Sequence, residues 1–119
     1  MKPFSNYRIL GDSVHVSGQL PMNSKGEVDN TLSVYEQVIA ELRQIEAVAT
    51  ELSVGKNQII KTNVFITDLE KLSEVNNAYL DFFPEIRPAR SAFGVTSLVG
   101  NVAVEIDAII DLKKVKEES

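Results

Sequence analysis

The segment from Val102 to Leu112 is the stretch of this chain that most restricts its fold. Apolar residues occupy every second position there: Val102, Val104, Ile106, Ala108, Ile110 and Leu112. Because successive side chains of a strand point to opposite faces of a sheet, this period of two predicts a β-strand with one apolar face. The other face carries Glu105, Asp107 and Asp111. We expect helices to cover the apolar side of this sheet.

The remaining patterns predict a hairpin, two helices and further strands. Apolar residues at helical spacing indicate a helix of about five turns from Val34 to Leu52, ended by Gly55. A second helix follows Asp68, which can act as its N-cap, and ends before Pro84. The predicted strands are 7–10 and 13–17, which form the hairpin, 58–66, and 91–97, which we expect to pair with the final strand.

Length and composition fit one domain that spans residues 1–119. The chain is 44% hydrophobic and 24% charged, as in ordinary globular proteins. Its 119 residues suffice for one core and are too few for two ordinary domains. Only the tail from Lys113 to Ser119, rich in lysine and glutamate, has the composition of a disordered segment.

Charge and residue usage exclude several classes of function. A net charge of −5 disfavours binding along nucleic acid phosphates, so we expect no nucleic acid partner. No apolar run approaches the ~20 residues that a membrane-spanning helix needs, and the N-terminus has no signal-peptide core. We therefore expect a cytoplasmic protein without a membrane partner. The absence of cysteine excludes disulfides, thiolate metal ligands and cysteine nucleophiles.

Arg90 and Glu105 are the leading candidates for a functional site, because charged side chains rarely occupy half-buried strands unless they are paired or used. Alternation predicts that both point away from the helices. A guanidinium offers two parallel donors to a carboxylate, and a glutamate can take a proton from water. From the residues alone, a structural ion pair worth about 0–1 kcal/mol is the commoner explanation.

Other catalytic chemistries find little support in the sequence. His15 and Ser17 would lie about 6.5–7 Å apart on a strand, beyond direct hydrogen-bond reach. One histidine and scattered carboxylates make a poor metal site, so we expect no bound metal. The glycines follow no phosphate-binding pattern, and we expect them to serve backbone geometry.

The sheet face opposite the helices is not purely polar. Alternation also places Ile59, Phe65, Ala103 and Ile109 on it. Because sizeable exposed apolar patches are unusual on monomers, this face predicts a homo-oligomer.

Four segments of the chain form a pattern through their order and spacing. They are Val16-Ser17-Gly18-Gln19-Leu20-Pro21, Lys61-Thr62-Asn63-Val64-Phe65-Ile66, Val75-Asn76-Asn77-Ala78-Tyr79 before Phe82-Phe83, and Arg87-Pro88-Ala89-Arg90-Ser91 followed by Val104-Glu105-Ile106. Any one segment is a weak signal, whereas their order and spacing along nearly the whole chain are specific. Together the four segments resemble the RidA/YjgF family of reactive-intermediate deaminases.

The resemblance implies an α+β fold similar to chorismate mutase: a mixed β-sheet with two helices on one face, assembled as a homotrimer with active sites between subunits. It also implies cofactor-free hydrolysis of 2-imino and enamine acids, such as 2-aminoacrylate and 2-iminobutanoate, to 2-keto acids and ammonia. By motif, Arg90 would bind the substrate carboxylate and Glu105 would orient or deprotonate the attacking water. Ser17, Asn76 and the backbone near Ala92 would shape the pocket.

The sequence departs from that family pattern at several positions. Phe4 stands where catalytic members commonly carry tyrosine, so this substrate-binding position lacks the phenolic donor. Ala92 replaces a frequent cysteine, and the segment between Phe83 and Arg90 is shorter than usual. The alternative function is therefore a trimeric binding or regulatory protein that holds a keto acid or amino acid without turnover. An endoribonuclease or translation inhibitor ranks last, given the acidic charge and the single histidine.

Overall fold

The structure is a computed structural model that describes residues 1–113, in which five strands form one sheet beneath two α-helices. The elements are β1 (Tyr7–Leu10), β2 (Ser13–Gln19), α1 (Val34–Glu51), β3 (Ile59–Ile66), α2 (Leu72–Phe82), β4 (Ala89–Gly94) and β5 (Val104–Asp111). This is the α+β architecture that the resemblance implied. Residues 114–119, the greater part of the tail expected to be disordered, lie outside the described residues.

The sheet is mixed, with strand order β1-β2-β5-β3-β4. β3 and β4 pair in parallel, and the other neighbouring strands pair antiparallel. Parallel neighbours need a long crossover, which α2 supplies between β3 and β4. The prediction that the last two strands pair with each other is therefore wrong, because β3 lies between them.

The two helices begin and end close to the predicted positions. Ser33 caps α1, where its side chain accepts from the Glu36 amide and the Glu36 carboxylate accepts from the Ser33 amide. α1 ends at Glu51, and Ser53 takes the left-handed backbone conformation (φ 65°) that we expected of a terminating glycine. Gly55 instead precedes a short 3₁₀ turn before β3, so its predicted role is wrong.

The core lies between the helices and one face of the sheet. The alternation predicted for the final strand is confirmed, since every second residue of β5 is buried: Val104, Ile106, Ala108 and Ile110. Val38, Leu42 and Ile45 of α1 belong to the same buried cluster. The opposite side of the sheet, called here the open face, is not covered by either helix and carries the half-buried Glu105, Asp107 and Ile109.

One position on β3 contradicts the predicted alternation. Ile59 is buried at 2% exposure on the helix side, whereas Ile60 is 38% exposed. A register shift between Ile59 and Lys61 against β5 causes the change, because one irregular residue exchanges the faces of those before it. Phe65 does lie on the open face, where it stacks on Phe93 of β4 with ring centroids 5.5 Å apart.

Candidate functional site

Arg90 and Glu105 lie on opposite faces of the sheet, so the prediction that they share a face is wrong. Arg90 stands beside Thr62 in the parallel β3–β4 pairing, and Thr62 points toward the helices. Glu105 pairs with Phe65 on the open face. Neighbouring strands are about 4.8 Å apart, so β4 and β5 lie about 10 Å apart across β3. The two side chains do not converge within one chain.

Arg90 is held from the side of α2. Its Nη2 donates to Asn76 Oδ1 at 2.8 Å, and its guanidinium lies 5.0 Å from the centre of the Tyr79 ring. The amide and the aromatic face both favour a cation, so together they fix the guanidinium at the edge of the sheet. A guanidinium carries five N–H donors, and most of those on Arg90 remain available to a ligand.

Tyr79 gives Arg90 a rigid support. Its ring is buried at 4% exposure, and its hydroxyl forms a 2.7 Å hydrogen bond with the Thr62 hydroxyl on β3. Burial raises the pKa of Tyr79 to about 12, so the phenol is neutral at physiological pH. The ring therefore holds Arg90 through its π face, without a formal negative charge.

A surface cavity of about 340 Å³ opens over Arg90, within the usual range for small-molecule sites. Its lining is Asn76, Tyr79, Leu80, Arg87, Pro88 and Arg90. Two arginines and no carboxylate line this cavity, which therefore suits an anionic ligand. We call this group of residues the Arg90 half-site.

Glu105 occupies space that a glycine leaves open. A Cβ atom at Gly18 on β2 would overlap Glu105 Oε2 and lie 2.8 Å from Glu105 Cδ. Gly18 has no left-handed backbone angle, so the position needs glycine for space. The expectation that the glycines serve only backbone geometry is incomplete here, because side-chain placement across two strands is invisible in the sequence.

The environment of Glu105 favours proton transfer. Burial and the nearby negative charge of Asp107 both raise the pKa of this half-buried carboxyl. Within residues 1–113 it has no hydrogen-bond partner, so its carboxylate is available to water or substrate. A raised pKa makes this carboxylate a stronger base than an ordinary glutamate, which suits it to take a proton from water.

Ser17 and Phe4 lie on the Glu105 side of the sheet. The Ser17 hydroxyl donates to the backbone oxygen of Ser5 at 2.6 Å, which ties the N-terminal segment to β2. Phe4 is 57% exposed and lines a cavity of about 480 Å³ with His15 and Ser17. Ser17, Gly18 and Glu105 with Phe4 form what we call the Glu105 half-site.

Ala92 shares its face of β4 with Arg90 and is exposed there. The described chain thus brings Arg90 and Asn76 together. It places Ser17 and Phe4 apart from them, beside a cavity that Glu105 does not line, and Gly18 links Ser17 along β2 to the space that Glu105 occupies. The sequence did not reveal three further residues: Tyr79, whose ring lies against Arg90, Gly18, which leaves space for Glu105, and Arg87, which lines the cavity. Each of them lies within a segment that resembled the family, but their contacts join different elements.

A second carboxyl, Glu41 on α1, is fully buried and was not singled out from the sequence. Its exposure is 0%, and neither oxygen has a hydrogen-bond partner among the described residues. Burial, with the negative charge of Glu105 adding to it, raises the pKa of Glu41 to about 10. The carboxyl is therefore neutral at physiological pH, at a cost in stability.

The described residues, 1–113, offer neither a metal site nor a membrane-spanning helix. No three histidine, aspartate or glutamate side chains there cluster as a metal site would require. Neither of the helices is long and apolar enough to cross a bilayer.

Comparison with known proteins places this geometry in context. The family model described as "Endoribonuclease L-PSP" matches residues 1–111. A RutC family protein of Sinorhizobium fredii is 34% identical over 110 residues, which cover 92% of this chain and 87% of that protein. The 2-iminobutanoate/2-iminopropanoate deaminase of Escherichia coli K12 is 38% identical over 104 residues, covering 84% and 80%.

Solved structures give the same result for the fold. The crystal structure of the YjgF gene product from Escherichia coli superposes with a TM-score of 0.85 at 34% identity. The match covers 93% of this chain and 89% of that protein.

Proposed function

Because this chain belongs to the RidA/YjgF family, we propose that it hydrolyses 2-imino and enamine acids to 2-keto acids and ammonia. The observation that carries the proposal is Arg90, a guanidinium fixed by Asn76 and Tyr79 in a cavity without carboxylates. Such a group is suited to the carboxylate that all these substrates share.

Arg90 binds the substrate carboxylate through two parallel N–H donors. This fork fixes the plane of the substrate and the direction of its imine carbon, which a lysine ammonium would not do. Asn76 keeps the fork in place through its 2.8 Å hydrogen bond, and the backbone near Ala92 borders the substrate on the same strand face.

Glu105 activates the water. The carboxylate takes a proton from water as the oxygen attacks the imine carbon, which forms a carbinolamine. Glu105 returns that proton to the nitrogen, which completes the carbinolamine. It then takes the proton of the carbinolamine hydroxyl and passes it to the nitrogen as the C–N bond breaks, so the keto acid forms and ammonia leaves. A positioned general base of this kind contributes about 10²–10⁴-fold. Water supplies the oxygen that replaces the nitrogen, and each proposed step uses only Arg90, Glu105 and water.

The complete site lies between subunits of a homotrimer. Arg90 and Glu105 are too far apart within one chain for a small imino acid to contact both. A neighbouring subunit that packs on the open face would bring its own Arg90 half-site against Glu105, Ser17 and Phe4. The stacked rings of Phe65 and Phe93 supply apolar area for that contact.

Phe4 favours a second candidate, a trimeric protein that binds a keto acid or amino acid without turnover. The phenylalanine ring has no hydroxyl to hold water or substrate. RNA cleavage, the activity in the family model's description, ranks below both because the net charge is −5 and His15 is the single histidine.

The test couples threonine dehydratase to this protein and traps free imine with semicarbazide. We expect wild type to accelerate the loss of 2-iminobutanoate and the formation of 2-ketobutanoate, and Arg90→Ala and Glu105→Gln not to. A trimeric wild type that leaves the imine lifetime unchanged would contradict the deaminase. Binding of 2-ketobutanoate without any turnover would establish the binding protein in its place.

A further inference from the structure

A second arginine shares the cavity over Arg90. Arg87 lines it three residues before Arg90, with Pro88 between them. Proline restricts both its own backbone and that of the residue before it, so the backbone at Arg87 is confined to extended conformations. Arg87 is exposed, and its Nη1 donates to the backbone oxygen of Phe83 at 3.0 Å, just beyond the end of α2. Most of its N–H donors remain free for a ligand.

The two positive charges are not neutralised within the described chain. The ion pair found in residues 1–113 joins Lys113 to Asp12, away from this cavity. Like charges at close range repel one another, and this chain has an overall excess of negative charge. A cleft of one sign in such a chain concentrates anions locally. The Arg90 carboxylate site uses one guanidinium, and the second, on Arg87, has the Phe83 backbone oxygen but no carboxylate partner among the described residues.

We propose that Arg87 is a second carboxylate-binding residue of this cavity, and that the preferred substrate is a 2-imino dicarboxylate. The inference rests on the proposed function, since Arg90 is taken to bind the carboxylate next to the imine. Arg87 then binds the distal carboxylate, and Leu80 and Pro88 form the apolar wall along the short carbon chain between them. The substrate class would be the imines formed by oxidation of aspartate or glutamate.

The experiment compares two imines in the semicarbazide assay: 2-iminosuccinate, made by an aspartate oxidase, and 2-iminobutanoate, made by an amino acid oxidase from 2-aminobutanoate. We expect wild type to have the higher kcat/KM for the dicarboxylate. Arg87→Gln should lower that value by about 10–100-fold, the effect of losing a charged hydrogen-bonded pair, and change the monocarboxylate value less than about twofold. Arg87→Lys should fall between the two.

Arg43→Gln is the matched control, because it removes the same charge from an exposed position of α1 outside the cavity. This variant should have the wild-type kcat/KM for both imines. Equal losses for the two imines in Arg87→Gln would overturn the proposal and assign Arg87 to anchoring the end of α2. An Arg87→Gln protein whose kcat/KM values for both imines equal those of wild type would overturn it as well.

Absence of the proposed deaminase activity would give a result different from failure of the dicarboxylate inference. If wild type accelerates neither imine, the deaminase is wrong, and calorimetric titration with 2-oxoglutarate and 2-ketobutanoate decides the inference. Tighter binding of 2-oxoglutarate that is lost in Arg87→Gln supports a dicarboxylate site. Equal affinity of wild type and Arg87→Gln for 2-oxoglutarate overturns it.

Discussion

The Arg90 and Glu105 half-sites are built in opposite ways. Arg90 is held by direct contacts, a hydrogen bond to Asn76 and the face of Tyr79. Glu105 has no such contact among the described residues and fits the space above Gly18. One charged group is fixed by what surrounds it, and the other is left free with a raised pKa.

This difference matches the two tasks. A group that orients a substrate loses less entropy on binding when its own rotamer is already fixed. A group that takes protons from water benefits from free hydrogen-bonding capacity and from a raised pKa, which makes it a stronger base. Under the proposed function, neither half-site is sufficient within one chain. Substitutions that remove these properties should therefore separate the two half-sites, most strongly at Glu105.

Glu105→Gln should have the largest effect and lower kcat by about 10²–10⁴-fold, because glutamine cannot take the proton from water. The kcat/KM of wild type should rise with pH through the pKa of Glu105, which lies above the ordinary glutamate value. Asp107→Asn is the matched control, since it removes the neighbouring charge that contributes to this shift. It should keep activity and move the acid limb to lower pH, and an unmoved limb would contradict the assignment.

Arg90→Ala should act mainly on binding and raise KM by about 10–100-fold, the loss expected for a charge-assisted carboxylate contact. Arg90→Lys should recover part of this loss, because the charge remains and the fork is gone. Steady-state kinetics on both variants, with the trimer verified by light scattering, separates KM from kcat. A variant with unaltered KM would show that the substrate carboxylate lies elsewhere.

Gly18→Ala should lower kcat by about tenfold or more, because the new methyl group displaces the Glu105 carboxylate from its seat. Thermal stability should change little, since the displaced atoms are the end of a flexible side chain. Gly55→Ala is the matched control, as nothing lies within 4 Å of its added Cβ and its backbone is not left-handed. Equal activity of the two variants would remove Gly18 from the site.

Glu41 should affect stability and leave the chemistry of the half-sites almost unchanged. Its pKa is raised to about 10 in the folded state, so unfolding releases a proton at any pH between the ordinary glutamate value and about 10. Stability should therefore fall as pH rises through this range, by up to about 1.4 kcal/mol per pH unit from this group. Glu41→Leu should flatten that slope and stabilise the fold at pH 8.

Gln37 provides the contrast for Glu41, because it is buried one helical turn earlier on α1 with both ends of its amide bonded. It donates to Leu32 O and accepts from the Ala103 amide, each at 3.0 Å. Gln37→Leu should destabilise by about 1–3 kcal/mol, since both backbone groups lose their partner. Urea unfolding at pH 6 and pH 8 measures the free energy of unfolding of both variants. At pH 8, a change of the same sign for Glu41→Leu and Gln37→Leu would contradict this explanation.

Much of the fold follows from local sequence signals. The alternation in β5, the capping and spacing of α1 and the apolar face of α2 act within single elements, so the elements are predictable within a few residues. The pairing of β4 was not, because two strands joined by a short connection usually form a hairpin. The parallel β3–β4 pairing depends on the crossover through α2, which no local pattern encodes.

The same limit applies to the candidate site. Arg90 and Glu105 could be selected from the sequence because charges within strands are unusual. Their relative placement could not, since it depends on strand order and on a register that puts Arg90 beside Thr62. Gly18 and Tyr79 act through contacts between distant segments and were therefore missed. The space that Glu105 of β5 occupies lies beside Gly18 of β2, so it depends on how these two strands pair and not on the sequence of either one.

If each active site takes Arg90 from one subunit and Glu105 from another, then mixing two inactive variants should restore activity. Arg90→Ala and Glu105→Gln proteins are unfolded together in equal amounts, refolded, and assayed with 2-iminobutanoate. Random mixing would give about a quarter of the sites an intact residue of each kind, so activity should recover to about that fraction of wild type. If the mixed trimers form and remain as inactive as either parent, both residues act from the same chain and the account is wrong.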